Sequence, residues 1–348
     1  SAPPPLPAWP RRAAVSPACG VQSSLATIHR FPPGSPATVN TAFPAMPTPQ
    51  ARPRLFCFGL GYTAMHLATA LAAEGGDIAG TCRGAENQAS LRDAGITAHL
   101  FDRDRPAGDG AAELVESLAV ATHVLSTIPP DEAGDPVLDG CADALGACAG
   151  LEWAGYLSAT SVYGDRGGAW VDETTPVAPT GVAGRRRAAA EAAWQAFGTG
   201  VGPNAHIFRL AGIYGPGRSV LDGIRAGTAR RIVKPGHAFS RIHVDDIVQV
   251  LLASMARPDP GAIYNVCDDR PAPTADVTAF GCELLGVAPP PEQRFEDAGL
   301  SPRAAAFWAD NKRVRNQKMK SDLGVRLKYP DYRAGLAAIL AAEGEREG

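Results

Sequence analysis

The chain has 348 residues, of which 45% are hydrophobic and 20% are charged, and its formal net charge is −3. This composition is typical of one large α/β domain or two smaller ones, and it argues against a basic surface for nucleic acid. No stretch approaches the ~18 consecutive apolar residues of a transmembrane helix, so no membrane insertion is predicted. The seven cysteines form no C-x-x-C pair. We therefore predict reduced core cysteines, no metal site and a reducing compartment such as the cytoplasm.

Residues 1–52 differ from the rest of the chain because they are rich in proline and alanine and contain no acidic residue. Such a segment cannot bury enough apolar surface to fold, so we expect disorder. Arg11, Arg12 and Arg30 would suit an organellar targeting segment. The alternative is an upstream extension that ends near Met46. The dense prolines oppose an amphipathic helix and favour the extension, and with it a cytoplasmic location.

The stretch RLFCFGLGYTA, residues 54–64, predicts a strand, a tight turn and a helix in succession. The apolar run 55–58 indicates a buried strand. Gly59 and Gly61 then form a G-x-G-x-x-A pattern, and a helix is expected to start at Tyr62 and Thr63. This arrangement is the phosphate-binding corner of a dinucleotide fold, where backbone amides and a helix N-terminus meet a pyrophosphate. We therefore expect these four residues to contact the cofactor.

Strand and helix patterns alternate from this point to about Gly215, beyond which the rhythm loosens, and this alternation predicts an α/β fold with a doubly wound parallel sheet. The later strands are predicted at 77–82, 99–101, 123–128, 153–159, 206–211 and 262–266. Helices are predicted at 109–117, 141–148, 183–196, 220–226, 247–255 and from Thr274 towards Gly286. We expect Thr274 to cap its own helix. Residues 301–343 should be helical and mixed in charge.

His243, Asp245 and Asp246 resemble a metal-binding cluster at first sight. They stand at the entry of a predicted helix, however, where an aspartate commonly caps the first turn. We expect one of the two aspartates to be the cap and the histidine to be packed.

The end of the second predicted strand indicates which cofactor is bound. An acidic residue there would bond the ribose hydroxyls of NAD, but the position carries Arg83, which can pair with a 2′-phosphate. The sequence thus favours NADP(H) over NAD(H), unless Arg83 is an ordinary solvated loop residue. Asp102 is a candidate partner of the adenine amino group. Thr127 and Pro129 are expected to line the nicotinamide side.

Several motifs then follow in an order that is itself informative. The segment LSATSVYGD, together with GLGYTA, resembles the extended short-chain dehydrogenase/reductase superfamily, also called the NAD-dependent epimerase/dehydratase family. The later motifs of that resemblance are RLAGIYGPGR, RIHVDDIVQVLL, IYNVCDDRP and DLGVRLKYP. The resemblance implies a Rossmann-type fold with a small mixed C-terminal substrate lobe.

The resemblance also suggests a division of the chain. An NADP-binding domain is expected over 53–215, with 237–256 returning to it. The substrate lobe is expected over 257–348, with a contribution from 216–236.

Catalysis in that family uses a Tyr-x-x-x-Lys pair on the helix after the fifth strand, with a Ser or Thr at the end of that strand. A nearby lysine favours the tyrosine phenolate and so lets it exchange a proton near neutral pH. Aligned on Glu191, the tyrosine position carries Ala183 and the lysine position carries Arg187. The Ser or Thr position carries Ala159. The chain therefore resembles the atypical members of the superfamily.

Other residues could take over these roles. Thr160 lies where the strand becomes a loop and could polarise a substrate oxygen. Arg187 could bond the nicotinamide ribose, but it cannot act as an acid or base. Ser158 is counted among the cofactor contacts. Tyr163 is interpreted as a packing residue before it is considered as a replacement acid.

The anchors for a sugar nucleotide are weakened as well, because Gly212 and Phe239 replace an asparagine and an arginine that many members carry. Arg241 could substitute for the arginine or be structural. Two functions thus remain open. One is an NADP(H)-dependent oxidoreductase or epimerase acting on a small carbonyl or hydroxyl substrate. The other is a protein that holds NADP(H) as a structural or sensory ligand, as a homo-oligomer or as a subunit of a larger assembly.

Overall fold

The computed structural model describes residues 52–104, 111–201 and 203–347. Apart from Arg52, the predicted disordered segment 1–52 lies outside the described residues. The strands are β1 (Arg54–Phe58), β2 (Asp77–Cys82), β3 (Thr97–Leu100), β4 (His123–Ser126), β5 (Trp153–Ala159), β6 (Trp170–Val171), β7 (His206–Leu210), β8 (Gly212–Tyr214), β9 (Arg231–Val233), β10 (Arg241–His243), β11 (Ile263–Val266), β12 (Glu292–Arg294) and β13 (Arg313–Val314). The helices are α1 (Tyr62–Ala73), α2 (Ala85–Asp93), α3 (Ala111–Ala119), α4 (Pro136–Gly146), α5 (Val182–Val201), α6 (Val220–Arg225), α7 (Val244–Ala256), α8 (Thr274–Leu284), α9 (Pro302–Phe307), α10 (Gln317–Leu323) and α11 (Tyr332–Glu347).

Seven strands form one sheet in the order β11-β7-β5-β4-β1-β2-β3, and all neighbouring pairs are parallel. The prediction of a doubly wound parallel sheet is thereby confirmed. The chain builds β2 and β3 on one side of β1 and the later strands on the other. The strand order therefore reverses between β1 and β4, and ligands of such sheets bind at the carboxyl ends beside this reversal. Phe58 and Ser126 face each other in register there.

The sheet is buried on both faces, which explains the continuous apolar run of β1. Leu55 and Cys57 belong to one hydrophobic core, which includes side chains of α1 and α7. Phe56 and Phe58 point the other way, into a second core with side chains of α3, α4 and α5. In a strand that is buried on both faces, successive side chains point alternately into two cores rather than into a core and into water.

Outside the central sheet, three short parallel pairs join distant segments, namely β8 with β10, β9 with β12 and β6 with β13. Two smaller hydrophobic clusters accompany them, one around Leu221 and Leu336 and one around Ile232 and Trp308. The division into a cofactor domain and a substrate lobe remains a prediction.

The outer edge of the sheet at β11 is blocked by a side chain. The backbone N–H of Asn265 donates to Oε1 of Glu173 at 2.7 Å. Burial raises the pKa of the Glu173 carboxyl.

Two predicted helix caps are wrong. The cap of α7 is His243, whose Nδ1 accepts the backbone N–H of Asp245 at 3.1 Å. Asp246 lies inside the first turn, where its carboxylate accepts the backbone N–H groups of Lys328 and Tyr329 at 2.7 and 3.0 Å. Thr274 is the first residue of α8 and follows a Pro273 cap. In each case the helix begins earlier than the apolar periodicity suggested.

Candidate functional site

The glycine corner between β1 and α1 has two different glycines. Gly59 has a φ of +92°, and a Cβ on it would lie 2.7 Å from Oγ1 of Thr127, so no larger residue fits. Gly61 is extended, and a Cβ on it would meet no atom within 4 Å. Gly61 is also the N-cap of α1 and supplies no side-chain hydrogen bond to it. The corner thus has an open cradle at a helix N-terminus, which fits a pyrophosphate.

Two threonines hold this turn in place. The Thr127 hydroxyl donates to the Gly59 carbonyl at 2.7 Å. Thr81 accepts the Gly59 N–H on Oγ1 at 2.9 Å and the Leu60 N–H on its carbonyl at 2.8 Å. Thr127 was predicted to line the nicotinamide side, and the structure gives its hydroxyl a role in supporting the turn. The contribution of Thr81 was missed. Its signal in the sequence was a hydroxyl inside an otherwise apolar strand.

A second open helix N-terminus lies at the end of β2. Arg83 is exposed and, among the residues that the structure describes, it forms no hydrogen bond or ion pair. Gly84 caps α2 without a side-chain bond, and a Cβ on it would meet nothing within 4 Å. A guanidinium without a partner, beside a helix N-terminus whose backbone N–H groups are not bonded by a side chain, is a suitable place for a phosphate. Asp102 follows β3 and is half-buried, and Pro129 is exposed after β4.

The loops beyond β3 and β4 are tied together by Arg103, another residue that the sequence analysis missed. Its Nε donates to Asp131 at 2.5 Å and its Nη1 donates to Asp139 at 2.8 Å. The hydrogen bond from Arg103 lowers the pKa of the Asp131 carboxyl. This fork joins the loop after β3 to the loop after β4 and to the first turn of α4.

At the end of β5 the chain enters a short 3₁₀ turn, Thr160–Tyr163. The Thr160 side chain is half-buried, and its hydroxyl has no hydrogen-bond partner in the described part of the chain. Ala183, at the usual tyrosine position, is exposed in the first turn of α5. Thr160 is therefore placed with a free hydroxyl at the carboxyl edge, whereas α5 presents only a methyl group where the family carries a phenol.

Arg187 is anchored to β5. Its Nη1 donates to the Leu157 carbonyl at 2.6 Å and to the Tyr156 hydroxyl at 3.1 Å. Its guanidinium also lies 5.7 Å from the centroid of the Tyr156 ring. Burial raises the pKa of Tyr156 to about 12, although Arg187 opposes this shift. A permanent cation cannot donate and retrieve a proton, so Arg187 can only position other groups.

A buried polar network occupies the interface between α5 and the sheet. Arg209 contacts both carboxylate oxygens of Glu191, the closest at 2.7 Å, and both side chains are at most 5% exposed. Ser158 donates to Glu191 at 2.5 Å. The Tyr163 hydroxyl accepts from Arg209 at 2.9 Å and donates to Oδ1 of Asn265 at 2.8 Å. The structure thus directs the hydroxyls of Ser158 and Tyr163 into this network and away from the open edge.

The remaining candidates are simpler. The Nη1 of Arg241 donates to the carbonyls of Phe239 and Ala272 at 2.9 and 2.8 Å. This nitrogen therefore bonds the backbone, which is a structural role. Within the described ranges no group of three His, Cys, Asp or Glu side chains could hold a metal ion. The same residues include no helix long and apolar enough to span a membrane.

Comparison with known proteins identifies the family. The sequence model of the NAD dependent epimerase/dehydratase family matches residues 59–267. The chain belongs to this family. The resemblance inferred from the motifs is thereby confirmed, and the glycine corner, β5 and α7 all fall inside the matched region.

Individual relatives cover most of the chain. Protein YeeZ of Escherichia coli (strain K12) is 28% identical over 280 residues, which are 78% of this chain and 95% of that protein. The structure of a functionally unknown conserved protein from Silicibacter pomeroyi DSS is 51% identical, with a TM-score of 0.76, over 83% of this chain and 99% of that one. The UDP-glucuronic acid 4-epimerase from Bacillus cereus, solved in complex with NAD, is 16% identical with a TM-score of 0.65, over 85% and 100%. At that identity the likeness concerns the fold alone.

Proposed function

We propose that this protein binds NADP(H) and acts as an oxidoreductase or epimerase on a small substrate with a carbonyl or hydroxyl group. The observation that carries the proposal is the open space at Gly61. This residue begins a helix that has no side-chain cap, and it lies two residues after Gly59, whose φ is positive. A backbone corner of this kind has no structural need for a glycine at Gly61, because an extended residue with a side chain would fit. The open space is explained by a ligand that approaches the backbone closely.

The residues present fit a dinucleotide along the whole carboxyl edge. The amides at the start of α1 would hold the pyrophosphate, Asp102 would face the adenine, and the segment that includes Pro129 would lie on the nicotinamide side. When bound, such a cofactor supplies or accepts a hydride. The chain itself must orient the cofactor, exclude competing reactions and move one proton at the substrate oxygen.

The preference for NADP(H) depends on Arg83. Its guanidinium has no acidic partner among the described residues and stands next to the open N-terminus of α2. Both features favour a 2′-phosphate, and the residue directly after β2 is Arg83 rather than a carboxylate that could bond free ribose hydroxyls; the first carboxylate is Glu86, in the first turn of α2. The NAD complex of the distantly related Bacillus cereus epimerase supports a nicotinamide dinucleotide in general.

A second candidate function is a protein that holds NADP(H) without turning a substrate over. Three positions favour it, since Ala159, Ala183 and Arg187 replace the side chains with which the family exchanges protons. Against it stands Thr160, whose hydroxyl is free at the same edge. The two candidates share cofactor binding and differ only in turnover.

One experiment separates the candidates. The purified protein is titrated with NADPH and with NADH by fluorescence, and the NADPH complex is then offered a panel of aldehydes, ketones and sugar nucleotides. Oxidation of NADPH that Thr160→Val abolishes supports the enzyme. Tight NADPH that no compound oxidises, with a raised melting temperature, supports the holding role. Equal or tighter binding of NADH contradicts the NADP(H) preference.

A further inference from the structure

A largely buried lysine lies beside the connection between the 3₁₀ turn after β5 and helix α5, on a segment to which none of the sequence motifs pointed. Lys312 immediately precedes β13, and its side chain is 10% exposed. Its Nζ donates to Oδ2 of Asp310 at 3.2 Å. A lysine is rarely buried this far unless it is paired or has a chemical role.

Two contacts fix where this lysine lies. The Thr180 hydroxyl donates to the other carboxylate oxygen of Asp310 at 2.5 Å. The backbone N–H of Asn311 donates to Asp165 at 2.8 Å. Asp165 comes just after the 3₁₀ turn that ends β5, and Thr180 stands three residues before Ala183. The segment of Lys312 is thus bonded to the chain at two points between Ala159 and Ala183, two of the positions where the family places its catalytic side chains.

Three other cations of this part of the chain are engaged by backbone carbonyls. Arg187 is bonded to Leu157, as described above. Arg166 donates to the carbonyls of Tyr163 and Pro176. Lys234 donates to the Trp308 carbonyl at 2.6 Å. Lys312 differs from these three because it donates to a side-chain carboxylate, Asp310, which it shares with Thr180, so a substrate oxygen could replace that partner without breaking the fold.

The charges around Lys312 suit an exchangeable proton. Asp310 and Asp165 stabilise the ammonium form, whereas Arg166 and burial oppose it. Burial is the largest effect, and it lowers the pKa of Lys312 below its ordinary value of 10.5. A lysine that can lose its proton more easily can serve as an acid in one direction and as a base in the other.

We propose that Lys312 contacts the reacting oxygen of the substrate and exchanges a proton with it, in place of the absent tyrosine. This inference rests on the proposed function. In reduction, an N–H bond of the ammonium breaks and its proton forms the new O–H bond. The electron pair stays on Nζ, and the neutral amine regains a proton from water. The hydride to carbon comes from the NADPH named above, and oxidation runs the same proton step in reverse.

The first test needs no substrate. Each lysine of the full chain is trace-labelled with acetic anhydride over a range of pH and quantified by mass spectrometry, in the NADP⁺ complex and in the NADPH complex. The oxidised ring carries one more positive charge, so an ammonium close to it loses its proton more easily. We expect the labelling midpoint of Lys312 to lie about half a pH unit or more lower with NADP⁺. Lys320, whose amine is bonded to Asp269, is the internal control and should not respond.

The second test uses variants. Lys312→Ala should lower kcat about 100-fold or more with any panel compound that the wild type reduces, which is the usual size of an acid–base contribution. Its NADPH affinity should stay within about threefold. Added methylamine should restore part of the rate, because a small amine can enter the space and donate the proton. Lys312→Arg should remain slow although it keeps the charge, and Lys320→Ala should behave as wild type.

The failures are distinguishable. If the protein binds neither NADPH nor NADH, the proposed function falls and this inference falls with it. If a cofactor binds and Lys312 titrates identically in both complexes, only the role of Lys312 is overturned. Wild-type turnover in Lys312→Ala overturns it as well. A loss of rate that Lys312→Arg reverses and methylamine does not would show a structural charge instead.

Discussion

The carboxyl edge of the sheet contains two regions that are built in opposite ways. The corner between β1 and α1 is made of backbone, with a left-handed Gly59 and an open Gly61. The end of β5 is made of side chains, which the Glu191–Arg209 network holds in place from behind. A backbone corner can keep its function while side chains diverge, because amides are common to every sequence. A site built from side chains changes its chemistry with each substitution.

The largest expected effect concerns the buried network. Glu191→Gln leaves the Arg209 guanidinium buried without its counter-charge, and breaking such a pair costs about 3–5 kcal/mol. Chemical denaturation should show this loss in the free energy of unfolding. The matched change Glu152→Gln, at an exposed carboxylate on the segment before β5, should stay within about 0.5 kcal/mol. A mild effect of Glu191→Gln would mean that the β5 region does not depend on this pair.

The second prediction concerns the cradle. Gly61→Asp places a carboxylate where the pyrophosphate would lie, and we expect NADPH binding to weaken about 100-fold or more, since charge repulsion adds to steric exclusion. Gly61 is extended and caps α1, so the new aspartate should also cap the helix and leave the melting temperature unchanged or higher. Gly150→Asp, at a glycine with equal free space, is the control. Undiminished NADPH binding would contradict the proposed cofactor site.

The third prediction concerns the choice of cofactor. Arg83→Gln should weaken NADPH about 10- to 100-fold, the usual size of hydrogen bonds to a charged group, and should leave NADH unchanged. Fluorescence titration of both cofactors measures the ratio directly. Arg326→Gln, at another exposed arginine, should change neither affinity. If both cofactors weaken equally, Arg83 supplies only general positive charge.

The smallest effect is expected at Tyr163. Tyr163→Phe removes a hydroxyl that lies between Arg209 and Asn265, and this should cost about 1–2 kcal/mol of stability. Cofactor affinity and turnover should not change, because the hydroxyl is turned away from the open edge. A loss of turnover at unchanged stability would instead make Tyr163 the missing acid.

Features made of residues that are adjacent in the chain could be predicted from the sequence, whereas contacts between distant side chains could not. The bounds of β2 and β5 were predicted correctly because each is a short run between turns; β5 is buried up to Ser158, and β2 is buried over its last three residues. The glycine corner was found because its residues are adjacent. Glu191 and Arg209 are 18 positions apart, and Tyr163 and Asn265 are 102 apart. No local pattern reports such partners.

Similar reasons explain the individual errors. Ser158 was counted among the cofactor contacts although strand alternation turns it away from the side of Ala159, and its hydroxyl donates to Glu191 of α5. One of Asp245 and Asp246 was expected to be the cap because aspartate often has that role, while the histidine before them supplies the acceptor. Lys312 gave no signal, since Asp165 and Thr180, which hold its segment in place, stand more than 100 residues earlier in the chain.

The bond between Glu173 and the backbone of Asn265 also matters for how molecules meet in concentrated solution. An edge strand with free amides invites the edge strand of another copy, which is a route to aggregation. At β11 the backbone N–H of Asn265 already donates to the carboxylate of Glu173 in the same chain. A second strand could pair there only by displacing a charged group. The side chain thus removes one pairing site from the edge of the sheet.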